Sequence, residues 1–344
     1  MKEYSAHDRR QGPKICAIGG GHGLSNMLRG LKNYTEEISA IVTVADDGGG
    51  SGVLRQDLGM PPPGDIRNCL EALANTEPLM SELLQYRFRE GSLAGQSFGN
   101  LFLAAVNAIS PTFDTAVRRM SEVLAITGRV LPVTTADVQL EAFFENGSSV
   151  VGESRIFRCK KQEDCRITRV RLLPEHPRAL PEALEAIAGA DMIVLAPGSL
   201  YTSVIPNLLV EGITEAILRS DALKVCVMNV MTQEGETEGY TACDHIEALF
   251  QHSAPKLFDL CLVSSTAIPE DAAARYALEG AEPISLEIER CAALGVEVVT
   301  ENMTVIDEDG YVRHDSDLLA QALIQLHARR SVRIAGGGYR IERT

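Results

Sequence analysis

Three aspartates and a glycine run lie close together near the start of the chain. Asp46 and Asp47 end the strand-like run ISAIVTVADD (38–47), GGGSG follows at once, and Asp65 arrives after the rigid turn PPPG, with Asn68 one helical turn on. Crowded carboxylates repel one another unless a cation or a hydrogen-bond donor offsets the repulsion. Three uses fit these residues. They could hold Mg2+, which takes one or two carboxylates plus water and phosphate oxygens. They could accept hydrogen bonds from a ribose, as acids after a second strand do in dinucleotide sites. Or they could form an Asx turn and a helix cap with no ligand. Arrival of a third acid favours a ligand or metal role for Asp46, Asp47 and Asp65 over capping alone.

The other strand ends carry groups of the same kind. GGGHGLS (19–25) brings Gly20, Gly21, His22, Gly23 and Ser25 to a turn entering a helix. Glycines let backbone approach a ligand, and helix N-terminal amides suit phosphate, although a tight turn without ligand reads the same way. His22 could contact a phosphate or simply be exposed. In GQSFGN (95–100), Ser97 reads as a helix cap, and Asn100, at the head of an apolar helix, as a candidate contact to a base or sugar. APGSLYTSVIPN (196–207) gathers Gly198, Ser199, Thr202 and Ser203, more hydroxyls than one cap requires, and its amides could hold a phosphate without a basic side chain. In NVMTQEGETEGY (229–240), Asn229, Thr232 and Gln233 read as donors at the site edge, and at least two of Glu234, Glu236 and Glu238 as a solvated loop face.

These groups need a frame that brings strand ends together. KICAIGG (14–20), the run at 38–47, DMIVLAPG (191–198), KVCVMNVM (224–231) and DLCLVSS (259–265) are near-continuously apolar and alternate with helical patterns. That order predicts an α/β fold of the Rossmann-like, three-layer kind, with a mainly parallel sheet covered on both faces. Apolar residues at three- and four-residue spacing predict a helical segment over 65–127, after the second strand. VQLEAFFENGSSVVGES predicts a hairpin turning at Asn146-Gly147. One domain over 14–328 is expected, with tails at 1–13 and 329–344.

Composition narrows the partners. A net charge of −15 argues against nucleic acid and against an anionic membrane surface. No run is long enough for membrane insertion, and the polar first thirteen residues lack a signal-peptide core. Eight scattered cysteines without a CxxC pair suggest buried thiols in a reducing, cytoplasmic setting. A homodimer is expected only as a base rate for such folds.

Taken in order, GGGHGLS, VTVADDGGGSGVLR, PPPGDIRNCL, GQSFGN, PGSLYTSVIPNLLV and NVMTQEGETEGY resemble the YvcK-like gluconeogenesis factors, a family related to 2-phospho-L-lactate transferase. The resemblance covers about residues 14–328. It implies a cytoplasmic protein that binds a nucleotide sugar such as UDP-N-acetylglucosamine or UDP-glucose. It further implies a link to cell shape, to cell-wall precursor supply through wall-synthesis enzymes, and to growth on gluconeogenic carbon. Gly20 to Ser25 and Gly198 to Ser203 would border the phosphates, and Asp46, Asp47 and Asp65 would lie near Mg2+ if a metal binds. The resemblance attaches no firm reaction to the family. A Mg2+-dependent phosphoryl or nucleotidyl transferase is the alternative, with Arg55 and Arg67 as the basic groups nearest the acids in sequence. This chain departs from the family pattern at His22 (Thr expected), Gly50 (Ser), Gln96 (His) and Ala196 (Gly). His22 adds bulk and a titratable ring beside the expected phosphate site, and Gln96 removes one potential acid or base.

Overall fold

The computed structural model describes residues 12–163, 165–307 and 309–335. The tail expectations for 1–11 and 336–344 therefore fall outside the described residues, whereas 329–335 belong to the last helix, Ser316–Ala335.

Strands β1 (Ile15–Gly19), β2 (Ile38–Val42), β3 (Arg129–Pro132), β7 (Met192–Leu195), β8 (Leu223–Val227), β9 (Leu260–Ser264) and β10 (Glu297–Glu301) form one seven-stranded sheet. Every neighbouring pair in it is parallel, in the order β10-β9-β8-β7-β1-β2-β3. The expected Rossmann-like α/β architecture is present. β1 and β2, ICAIG and ISAIV, are buried at every position, as strands covered on both faces must be. β3 and β10 lie at the two edges, where short length and charged residues such as Arg129, Glu297 and Glu301 blunt a sheet. That polarity hid them from a search for apolar runs.

Strand order reverses at β1. The chain leaves β1 for β2 on one side and later resumes at β7 on the other. With right-handed crossovers, the helix after β1 (Gly21–Leu31) and those after β7 cover opposite faces. Between β2 and β3 the chain makes the expected helical excursion, with helices Gly49–Leu58, Gly64–Leu73, Pro78–Gln85, Phe98–Ala108 and Phe113–Val123.

Two small antiparallel sheets complete the fold. β4 (Gln139–Phe144) and β5 (Ser149–Val151) form the expected hairpin, with Asn146 Oδ1 accepting from Ser148 N at 2.9 Å. β6 (Ile167–Leu173), which the sequence reading missed, pairs with the other edge of β4. β11 (Thr304–Ile306) and β12 (Val312–His314) form a second, unexpected hairpin. The expectation of cysteines as isolated thiols needs one correction. Cys243 and Cys291, buried on helices Ala242–His252 and Ile288–Ala293, are disulfide-paired with Cα atoms 5.4 Å apart, and the other six cysteines are free. The 48-residue separation concealed a contact that only the folded chain creates.

Helix Gly21–Leu31 sits in the middle of one layer, packed against Gly64–Leu73 and Ser316–Ala335, and it turns Leu24, Met27, Leu28 and Leu31 into the core. At Gly30 the last helix comes so close that a methyl group would stand 1.8 Å from Ser316 O. Gly30→Ala should therefore force the two helices apart and cost about 1–3 kcal/mol, as overpacking does. A thermal melt should show a midpoint several degrees lower, and an unchanged midpoint would contradict this account of the packing.

Candidate functional site

The reversal of strand order at β1 leaves a crevice outside the carboxyl ends of β1 and β7, where open α/β sheets bind ligands. A cleft of about 510 Å³ opens there. A larger cavity, about 690 Å³, lies at the other end of the strands among Glu185, Asp191, Arg219, Asp221 and Arg330. Chemistry follows the smaller one, because the loops and helix N-termini that carry the polar strand-end groups converge on it.

Of the residues singled out from sequence, Gly21, His22, Gly23, Asp46, Asp65, Gly198, Ser199, Thr202, Ser203, Asn229, Thr232 and Gln233 line the cleft. Several expected ligand contacts do not. Gly20 lies buried beneath it, and Ser25 is buried with its hydroxyl donating to His22 O at 3.1 Å. Asp47 points aside, accepting from Ser154 N at 2.7 Å. Asn68 is half-buried on helix Gly64–Leu73, away from the lining. Asn100 is buried, with its backbone N–H donating to Ser97 Oγ and its Oδ1 accepting from Arg67 Nε at 3.4 Å. Ser97 is the helix cap it was expected to be.

The acids are positioned by backbone amides. Asp46 Oδ1 accepts from Gly48 N at 2.7 Å, and the Ser51 hydroxyl adds a second bond. Asp65, in the first turn of helix Gly64–Leu73, accepts from Gly21 N at the head of the helix after β1. Its Oδ2 stands 2.6 Å from where a methyl on Gly20 would be, so glycine is required there, and Ser203 Cβ would be 3.4 Å from the same methyl. Burial raises the pKa of Asp46, and it lifts Asp65 to about 7 with help from the Asp46 charge. Among the described residues no group of three or more His, Cys, Asp or Glu forms a ready metal cage, and Asp47 is turned away. Asp46 and Asp65 still suit Mg2+, which needs only one or two carboxylates when phosphate and water complete its shell.

The loop after β7 departs from expectation. Its amides were read as a phosphate cradle, yet most are engaged within the chain. Glu236 accepts from the amides of Leu200, Tyr201 and Thr202 and from the Thr202 hydroxyl. Gly198 N donates to Asn229 Oδ1 at 2.9 Å while Asn229 Nδ2 donates back to Gly198 O at 2.8 Å, so Asn229 clamps the ends of β7 and β8 together. Ser203 N bonds Ser199 O. Thr232 is likewise tied, by its N–H to Glu282 O and by its hydroxyl to Glu282 N. Ser199 Oγ donates to Gln233 Oε1 at 2.8 Å. The acids of 234–238 are not a solvated face: Glu236 is only 4% exposed and its pKa rises to about 7 through burial, while Glu234 and Glu238 are half-buried.

Sequence reasoning missed several lining groups. Glu153 starts the helix Glu153–Glu163, and burial together with Asp46, Asp47, Glu236 and Asp65 pushes its pKa to about 8. The β11–β12 hairpin contributes Val312, Arg313 and His314, fixed by Asn26 Nδ2 donating to His314 O at 2.7 Å and by Val312 N donating to the Tyr276 hydroxyl at 2.9 Å. Arg313 is the arginine of the lining, and its Nε already donates to Asp307 Oδ2 at 2.6 Å. Arg55 pairs with Asp137 and Val138 O, and Arg67 with Glu71. His22 stays exposed, and partial burial and the Arg313 and Arg67 charges lower its pKa, so it is neutral at physiological pH.

Comparison with known proteins places this geometry. The family described as 2-phospho-L-lactate transferase CofD matches residues 15–304. A protein of Thermoanaerobacterium thermosulfurigenes is 54% identical over 92% of this chain and 97% of its own. The Bacillus subtilis protein named "Gluconeogenesis factor" is 48% identical over 92% of this chain and 98% of its own. A crystal structure of a Bacillus halodurans protein, 46% identical, superposes with a TM-score of 0.88 over 91% of this chain and 99% of that one. Among the described residues no helix is long and apolar enough to cross a membrane.

The crowded acids make stability depend on pH. Asp65, Glu236 and Glu153 all have folded pKa values above their ordinary ones, so the stability they contribute while protonated is full below about pH 4. It is lost as pH rises through about 7 for the first two and about 8 for Glu153. The thermal midpoint should fall between about pH 4 and pH 8, and Asp65→Asn should flatten that fall. A midpoint that climbs over this range in both proteins would contradict the assignment.

Proposed function

Since the chain belongs to the 2-phospho-L-lactate transferase CofD family and its relatives include gluconeogenesis factors, we propose that it is a UDP-sugar-binding regulatory protein. Its bound state would report precursor supply to cytoplasmic wall-synthesis enzymes, and so affect cell shape and growth on gluconeogenic carbon. The observation that carries this reading is how the cleft sorts its groups along the sheet. Beyond β8 stand Val230, Met231, Tyr276 and Val312, an apolar and aromatic end that suits a base. Over β7 and β1 lie Ser199, Ser203 and Gly21 to Gly23, beside Arg313, whose charge is shared with Asp307. Beyond β2 lie Asp46, Asp65 and Glu153. A nucleotide sugar offers the same succession: flat base, anionic diphosphate, hydroxyl-rich sugar.

The acid end also supports the transferase reading. Mg2+ held by Asp46 would neutralise phosphate charge there, and Asp65, if it is not itself on the metal, could with a pKa of about 7 take up the proton of an acceptor hydroxyl. The sensor reading ranks first because the other groups of the cleft act as clamps and contacts. Asn229, Thr232 and Ser199 are all hydrogen-bonded to neighbouring loops rather than arranged as a nucleophile with its base.

Calorimetric titration of the purified chain with UDP-N-acetylglucosamine and UDP-glucose, with and without Mg2+, separates the two. The sensor reading predicts saturable binding with no product after prolonged incubation. At 100 times the dissociation constant, ligand should add roughly 2.7 kcal/mol of stability. Asp46→Asn keeps an acceptor for Gly48 N, so it should fold normally while removing any Mg2+ dependence of binding. Turnover of the nucleotide sugar would establish the transferase instead, and absence of binding by both sugars would overturn the sensor reading.

A further inference from the structure

A neutral imidazole carries one N–H and one bare lone pair. A buried lone pair with no donor is costly, and a ligand N–H that reaches it relieves that cost. His314 is such a ring. It lines the cleft yet is only 8% exposed, and its Nε2 has no hydrogen-bond partner among the described residues. Burial lowers its pKa to about 4, so the ring is neutral at physiological pH. Its one proton is drawn to the backbone carbonyl of Met228, the residue after β8, which leaves Nε2 as an acceptor. The ring is also held in place. Thr304 pairs with it across the β11–β12 hairpin, and Asn26 Nδ2 donates to its carbonyl at 2.7 Å. Of the buried side-chain nitrogens and oxygens without a partner among the described residues, only that of His314 belongs to a residue lining the cleft.

His314 shares the buried face of β12 with Val312, while Arg313 between them is exposed. Val312 packs with Met231, Val230 and Tyr276 at the end of the cleft that suits a base. One strand face therefore presents an apolar wall and, two residues on, a single acceptor.

We propose that His314 selects the base: its bare nitrogen accepts the ring N–H of uracil and opposes, lone pair against lone pair, the unprotonated N3 of cytosine. This inference rests on the nucleotide-sugar reading and names the group that would set its base preference. The two bases have the same size and the same flat apolar faces, so the apolar wall alone cannot separate them. A buried acceptor can, because the wrong base leaves two groups unpaired.

Calorimetric titration of the full-length chain with UDP-glucose and CDP-glucose tests this. The wild type should bind UDP-glucose about tenfold or more tightly than CDP-glucose, as one unpaired buried acceptor implies. His314→Phe keeps a flat ring without an acceptor. It should weaken UDP-glucose by roughly tenfold, leave CDP-glucose no weaker, and so close the gap. His314→Gln keeps an acceptor and should keep the preference. A second readout needs no substitution: the 15N resonance of His314 Nε2 in the wild type should shift when UDP-glucose binds. Equal affinity for the two nucleotide sugars would overturn the inference alone. So would a folded His314→Phe chain that keeps the preference, or a His314 resonance unmoved by bound UDP-glucose. Failure of both nucleotide sugars to bind would overturn the reading beneath it, and the inference with it.

Discussion

Parallel strands deliver helix N-termini to one edge of a sheet, and their unpaired amides must be satisfied there. In this protein the chain's own carboxylates do much of that work. Asp46 takes Gly48 N, Asp47 takes Ser154 N, Asp65 takes Gly21 N, and Glu236 takes the amides of Leu200, Tyr201 and Thr202. The Asp46 bond closes a local turn, whereas those of Asp47, Asp65 and Glu236 join segments far apart in sequence and hold them in register around the cleft. The positions of the loops over β1, β2 and β7 follow from these contacts. So does the crowding that raises the pKa of Asp65, Glu153 and Glu236.

The same contacts constrain how an anionic ligand could be held. Many of the amides that would cradle a phosphate already face a carboxylate or a loop oxygen, and acids line one end of the cleft. An anionic group bound there needs positive charge from Arg313 or from a cation beside Asp46 and Asp65.

Much of the architecture was legible in the amino-acid pattern. β1, β2 and β7 to β9 announced themselves because strands buried on both faces are near-continuously apolar, and the polar clusters that interrupt those runs mark the strand ends. Edge strands β3 and β10 were silent because solvent lets them carry Arg129, Glu297 and Glu301. Local signals also misled where burial decides the role. Glu236 sits in a run of three glutamates that reads as a solvated loop, and nothing local distinguishes the one that turns inward. Glu153 opens a helix, where an acid is favoured by the dipole whether or not it faces a ligand. The β11–β12 hairpin reaches the cleft through a bond between Asn26 and His314, 288 residues apart, which no short-range pattern encodes.

Hydrogen exchange of the full-length chain with and without saturating UDP-N-acetylglucosamine tests the central claim, that the cleft over β1 and β7 is where a nucleotide sugar binds. The account predicts added protection in peptides covering 21–26, 199–203, 229–233 and 312–314, with no change around the cavity at the opposite ends of the strands. Protection confined to that opposite cavity, near Arg219 and Arg330, would contradict it.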